Sequence, residues 1–229
     1  LQDNAIPNAA KAEFVIPADQ VAAVKAAAEA WAAEAKAACP NDPDFTFTWS
    51  DKAGAAAALS AEDSRKAVDL IRAVPNGIQA MNPDLPGQVQ TSLNLGILRL
   101  EEGKLRLIFL LRSSVAAELA QLEQKVQGVA TEFGAAFAVE SSYPPWEYRK
   151  ESQLRDIMVK VFKEQYGEDP VVETVHAGLE CGILTDKVPG LDAVSFGPDL
   201  VEIHSTRERM SIASVERTWR FLLGVLAAL

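Results

Sequence analysis

The chain has 229 residues, 48% hydrophobic and 24% charged, the composition of a soluble globular protein long enough for one large or two small domains. Its net charge of −10, without a basic cluster, argues against nucleic acid or an anionic membrane as partner. Two cysteines, Cys39 and Cys181, give no disulfide framework and point to a reducing compartment. No apolar run reaches the ~18 residues that span a bilayer. Residues 1–16 lack the basic start and apolar core of a signal peptide, so a cytoplasmic location is expected. Leu1, without an initiator Met, reads as the start of a piece of something longer.

Asn4-Ala-Ile-Pro7 reads as a loop. Residues 11–16 alternate as a strand, with Ala12, Phe14 and Ile16 on one face. Pro17 suits the first turn of a helix, where its missing N–H would be unpaired anyway. That helix runs to about Ala38 with Val21, Val24, Ala28, Trp31 and Ala35 as its core stripe, and Pro40 and Pro43 end it. Phe45-Thr-Phe-Thr-Trp49 alternates as a strand. Ser60-Ala-Glu-Asp63 has the form of a capping box before a helix to about Val74,. Pro75-Asn-Gly77 and residues 82–87 read as loops.

Residues 89–100 and 104–111 form a hairpin about Glu101-Glu102-Gly103. Leu93, Leu95 and Ile97 mark one face of its first strand; Leu105, Leu107, Phe109 and Leu111 mark one face of its second, with Arg112 on the other,. Val115, Leu119, Leu122, Val126, Val129 and Phe133 give a helical stripe,. Residues 135–140 read as a last strand. Leaving aside the helical insertion at 60–74, this is a ferredoxin-like β-α-β-β-α-β pattern, a fold that hosts unrelated functions.

Tyr143-Pro-Pro-Trp-Glu147 breaks the pattern as a linker. Leu154, Ile157, Met158, Val161 and Phe162 make an amphipathic helix ending near Gly167. Residues 171–175 read as a short buried strand. Gly178 and Gly182 bracket a turn into a short helix, and Ala193, Val194 and Phe196 read as another strand before Gly197-Pro198,. From Ser211 a final helix carries Ile212, Val215, Trp219, Leu222, Leu223 and Leu226 as core. The α-β-α-β-α run makes a parallel α/β layer. Two strands leave edges unpaired, so this half needs the rest of a sheet from elsewhere.

Both histidines lie in loops of this second half, where ligands bind in open α/β sheets. His176-Ala-Gly-Leu-Glu-Cys-Gly182, Val194-Ser-Phe-Gly-Pro198 and His204-Ser-Thr-Arg-Glu208 closely resemble the aminoacyl-histidine dipeptidases. These are the carnosinase-like Xaa-His dipeptidases within the two-zinc aminopeptidase-like group. The resemblance reaches back through Thr91-Ser-Leu-Asn-Leu-Gly96, Arg112-Ser113 and Asn4-Ala-Ile-Pro7. It implies an α/β protein with a ferredoxin-like lid, which also serves dimerisation, over residues 1–141. Residues 142–229 would be the carboxyl-terminal part of the catalytic domain, whose amino-terminal part is then a partner.

On the same resemblance, His204 matches the last zinc ligand. Asn4 and Arg112 match lid residues that hold the substrate's carbonyl and carboxylate. His176, Gly178 and Glu180 lie in a loop lining the dipeptide pocket, though His176 also reads as a structural loop histidine. Neutral imidazole suits zinc, a guanidinium fork suits a terminal carboxylate, and glycines permit close approach of backbone to ligand. Family members use two zinc ions, with zinc-bound hydroxide as nucleophile. Their His-x-Asp, bridging Asp, Glu-Glu base pair and further Asp all precede the lid or lie at its edge. No histidine precedes His176 here, and Glu101-Glu102 falls in a hairpin turn. The resemblance therefore implies that this chain supplies at most one zinc ligand, carries no catalytic residue and alone does not hydrolyse dipeptides. A non-catalytic association module and a deacylase of the same group are the alternatives.

Overall fold

A computed structural model describes residues 6–52, 57–175, 178–203 and 205–229. The chain divides into two compact units, Pro7–Asp69 and one containing Leu70–Leu229, with the division falling inside a helix. In the first unit a 3₁₀ turn over Ala18–Gln20 leads into α1, Val21–Ala38. Ala32 is the buried residue of α1, with Val21, Val24, Ala28 and Ala35 half-buried beside it. Trp31, assigned to the core by its spacing, is 59% exposed: the inward stripe passes through Ala32 instead. The strands expected at 11–16 and 45–49 carry no ladder. Those segments meet through side chains, Phe14 standing edge-on to Trp49 at 5.6 Å and Lys52 reaching Glu13 at 2.8 Å.

The helix at the division, α2, spans Ala61–Ala73. Ser60 caps it as the sequence predicts, its hydroxyl accepting from the Asp63 amide at 3.0 Å, while the Asp63 carboxylate takes that hydroxyl's proton at 2.8 Å in place of the backbone bond of a full capping box,.

The second unit contains an antiparallel sheet of order β1-β2-β3, formed by Gly77–Met81, Val89–Glu101 and Lys104–Ser113. Strand β1 lacks an alternating signal and is held as an edge against β2. The β2–β3 hairpin closes on the Glu101↔Lys104 pair. Its two turn residues, Glu102 and Gly103, have φ of 52° and 72°, the positive values that a tight primed turn demands. A bulge between Leu95 and Ile97 gives β2 one extra residue. The faces then exchange: Leu93 opposes Leu111 and Leu95 opposes Phe109, but beyond the bulge Leu98 opposes Leu107. Ile97 therefore leaves the face that strict alternation assigned to it. Helix α3, Ala116–Glu132, closes this layer, and Leu93, Leu122 and Val126 form its core with Val74, Phe109, Leu111 and Phe137 around them. The strand expected at 135–140 is not formed. Phe137 packs on the core and Glu140 pairs with Arg106 of β3 at 2.7 Å without a backbone ladder.

Helices α4, Gln153–Tyr166, and α6, Ile212–Ala228, pack through Met158, Val161, Phe221 and Val225. Gly224 permits that approach: a Cβ there would stand 2.9 Å from Val161 Cγ1. Ser152 and Ser211 cap the two helices, and Gly167, at φ 77°, ends α4 as expected. Of the stripe assigned to the core of α6 Leu222 is half-buried and the rest faces outward, with Ile212 87% and Trp219 58% exposed, while Ser214, Phe221 and Val225 are buried.

The expected strands at 171–175 and 193–196 carry no ladder either, and Val171 is 84% exposed. A strand needs a hydrogen-bonded neighbour, and none of the described residues pairs with these segments. Between them lies α5, Glu180–Lys187, and after them a two-residue ribbon of β4, Leu200–Val201, and β5, Arg209–Met210.

Candidate functional site

Arg112 stands half-buried near the end of β3, opposite Ser92 of β2. The next pair outward, Thr91 and Ser113, is joined through its hydroxyls at 2.8 Å. Thr91 donates to one oxygen of Glu118, in the first turn of α3, and the Gln90 side chain donates to the other at 2.6 Å. Spacing gave no sign of Glu118; its only sequence signal is a carboxylate in the opening turn of a helix, where the dipole favours it.

In the same unit an open cleft of about 890 Å³ is lined by residues including Trp146, Tyr148, Val172, Val175, Val194 and Phe196. Its walls are the segments that the sequence reads as linker and unpaired strands. Three polar contacts tie this segment to the β1–β2 loop and to α3: Thr174 donates to the Gln88 side chain, Glu147 accepts from the Ala116 amide at 3.0 Å, and Lys150 meets Asp84 at 2.7 Å. That last contact pushes the Lys150 ammonium above its ordinary pKa, through the Asp84 hydrogen bond first and its charge second.

Glu180 opens α5 and is exposed. A Cβ on Gly178 would lie 3.7 Å from the Tyr143 side chain, in ordinary contact. Gly182 is tighter: a Cβ there would fall 2.6 Å from the Pro144 carbonyl oxygen. The 143–147 linker is thus packed on the glycine-bracketed turn rather than merely connecting two domains. Beyond the cleft, the Ser205 amide and hydroxyl both donate to the Glu202 carbonyl, at 3.2 and 2.7 Å, and Glu202 has a φ of 54°.

Asn4, His176 and His204 lie outside the described residues. Of the substrate residues expected, Arg112 belongs to the sheet, whereas Gly178 and Glu180 belong to the α5 turn beyond the linker. Glu101 and Glu102 are exposed in the hairpin turn, as the sequence suggests. Among the described residues no group of three or more His, Cys, Asp or Glu side chains is placed to hold a metal ion. No helix among them is long and apolar enough to cross a membrane.

The profile of peptidase family M20/M25/M40 matches residues 14–228. The chain is 27% identical over 224 residues to the cytosol non-specific dipeptidase of Escherichia coli (strain K12), covering 97% of this chain and 46% of that protein. The crystal structure of aminoacylhistidine dipeptidase from Vibrio alginolyticus superposes with a TM-score of 0.84 at 28% identity, over 93% of this chain and 44% of that one. The aminopeptidase PepT from Bacillus cereus shares the fold at a TM-score of 0.55, with 16% identity over 72% of this chain. The chain thus spans less than half the length of these relatives.

Proposed function

The chain belongs to peptidase family M20/M25/M40, and from that premise we propose that the complete protein is a zinc-dependent dipeptidase of Xaa-His dipeptides in the cytoplasm. The observation that carries this reading is the 0.84 superposition on an aminoacylhistidine dipeptidase over 93% of the chain. In it, residues 1–141 form the lid, with a second lid as dimer partner. Residues 142–229 form the carboxyl-terminal part of the catalytic domain, and their uncovered walls receive the remaining sheet. Support for that comes from Val171 and Val175, β-branched residues left 84% and 56% exposed in a segment of strand composition,.

Arg112 is assigned to the substrate carboxylate, for which a planar fork of N–H donors is the fitting partner. Asn4 is assigned to the carbonyl, His176, Gly178 and Glu180 to the pocket wall, and His204 to one zinc. Zinc supplies a Lewis acid and a bound water that ionises near neutral pH. The described residues do not by themselves make a site for it. This chain's own part is binding: holding a short peptide by its carboxylate end.

The test is hydrolysis by the full-length protein of a histidine-containing dipeptide against N-acylated amino acids, before and after chelation and zinc restoration. Dipeptide cleavage that chelation abolishes and zinc restores supports the proposal. Cleavage of acylated amino acids alone makes the protein a deacylase, and activity indifferent to chelation sinks the metal reading.

A further inference from the structure

We propose that Glu118 is a positioning residue for Arg112, acting through Thr91 and Ser113; the inference rests on the reading of Arg112 as the carboxylate clamp. The motif Thr91-Ser-Leu-Asn-Leu-Gly96 has no role in the chemistry assigned above, yet the structure gives its first residue a specific one. Among the described residues strand β3 is an edge whose ladder is with β2, and Thr91↔Ser113 is the last pair of that ladder at the Arg112 end. Ladder ends fray unless side chains hold them. Here they do.

The direction of each proton follows from the donor inventory. A carboxylate only accepts, so Thr91 gives its single hydroxyl proton to Glu118,. Thr91 Oγ1 must then accept across the 2.8 Å contact from Ser113, whose own oxygen accepts from the Val115 amide at 3.0 Å. The Ser114 amide adds a backbone bond to the Gln90 carbonyl at 3.1 Å, and Gln90 returns to Glu118 through its side chain at 2.6 Å. Both hydroxyl protons in this ring thus have a fixed acceptor, and the ring encloses the two residues that follow Arg112. Thr91 is 3% exposed, so water cannot replace Glu118 without opening the sheet. Because α3 is docked by Leu122 and Val126 onto Leu93, Glu118 ties the Arg112 end of the edge strand to a fixed body. A guanidinium fork works only within a narrow angular range, so freedom at this strand end is lost alignment at the clamp.

The experiment uses the full-length protein, with a histidine-containing dipeptide and the C-terminal amide of the same dipeptide as paired substrates. Wild type is expected to show a lower KM for the acid than for the amide, and Arg112→Ala to abolish that preference. Glu118→Gln and Thr91→Val are expected to lower the preference about tenfold through KM for the acid, a misplacement effect, with kcat on the amide within about twofold. Thr91→Ser, which keeps the hydroxyl, is expected to restore it. Loss of acid and amide turnover in equal measure in Glu118→Gln and Thr91→Val would reduce Glu118 to a structural staple and overturn the inference. Unchanged preference in those two variants, with Arg112→Ala still collapsing it, overturns the inference and leaves the clamp standing. Preference surviving Arg112→Ala overturns the clamp, and the inference with it.

Discussion

Asp192 accepts the Ser152 hydroxyl at 2.7 Å across 40 residues of sequence, and its second oxygen takes the Leu154 amide at 3.0 Å. Ser152 at the same time caps the Arg155 amide at 3.0 Å. Two side chains thus satisfy the opening turn of α4, one local and one brought from the cleft wall, so that the 190–193 segment is anchored to a helix although it lacks a strand partner.

Burial pushes the Asp192 carboxyl up, but the Leu154 amide, the Ser152 hydroxyl and the charges of Arg149 and Arg155 outweigh it and hold the group below its ordinary value. A carboxyl with a lower pKa folded than unfolded adds stability above the unfolded pKa, about 4, and loses it as pH falls through the folded one. Chemical denaturation at pH 6 and at pH 3 is expected to show wild type losing more stability between the two than Asp192→Asn. Equal losses would mean the carboxylate contributes no pH-dependent stability.

Gly182 and Gly128 make a matched pair within helices. A methyl at Gly182 would meet the Pro144 carbonyl at 2.6 Å, whereas one at Gly128 meets nothing within 4 Å. Gly182→Ala is therefore expected to destabilise by about 1–3 kcal/mol, since a backbone atom must move. Gly128→Ala is expected to stabilise by about 0.5–1 kcal/mol through helix propensity alone. Urea midpoints of the two variants give the comparison; opposite signs are the expected result.

Arg112→Lys keeps the charge and removes the fork. In the full-length protein KM for a free dipeptide is expected to rise about tenfold, roughly the difference between a bidentate and a point contact, with kcat little changed. A KM within twofold of wild type would remove Arg112 from the binding site.

With only two histidines and no acidic or thiolate cluster placed for a metal among the described residues, the 229-residue chain alone is expected to retain well under one zinc after desalting. Catalytic zinc takes about three protein ligands. Elemental analysis retaining about two ions per chain would mean a complete centre that the assignment of one ligand, His204, misses.

Much of the fold was legible in the sequence where the cause was local. The Ser60 box, the α3 stripe through Leu122 and Val126, the Gly167 stop and the two-residue turn at Glu102-Gly103 each depend on residues within a turn or two of one another. What failed depended on neighbours. Residues 171–175 have strand composition, but composition supplies no hydrogen-bond partner. Trp219 has core spacing, but α6 is apolar on more than one side and α4 covers the Phe221 side. Ile97 was misplaced because the bulge at Gly96 resets the count. Of the expected site, Arg112 was reached through resemblance rather than periodicity. Glu118 and Asp192 escaped notice because polar contacts spanning 27 and 40 residues leave no periodic trace.

The extra residue at Gly96 makes the hairpin two ribbons in series. Inboard of it, Leu93 and Leu95 share a side with Leu111 and Phe109; outboard, Leu98 and Leu100 share one with Leu107 and Leu105. A one-residue deletion there would leave a regular ladder, with Leu98 still opposite Leu107 and Ser92 still opposite Arg112,. The root of the hairpin, where the guanidinium stands, therefore keeps its pairing with or without the extra residue.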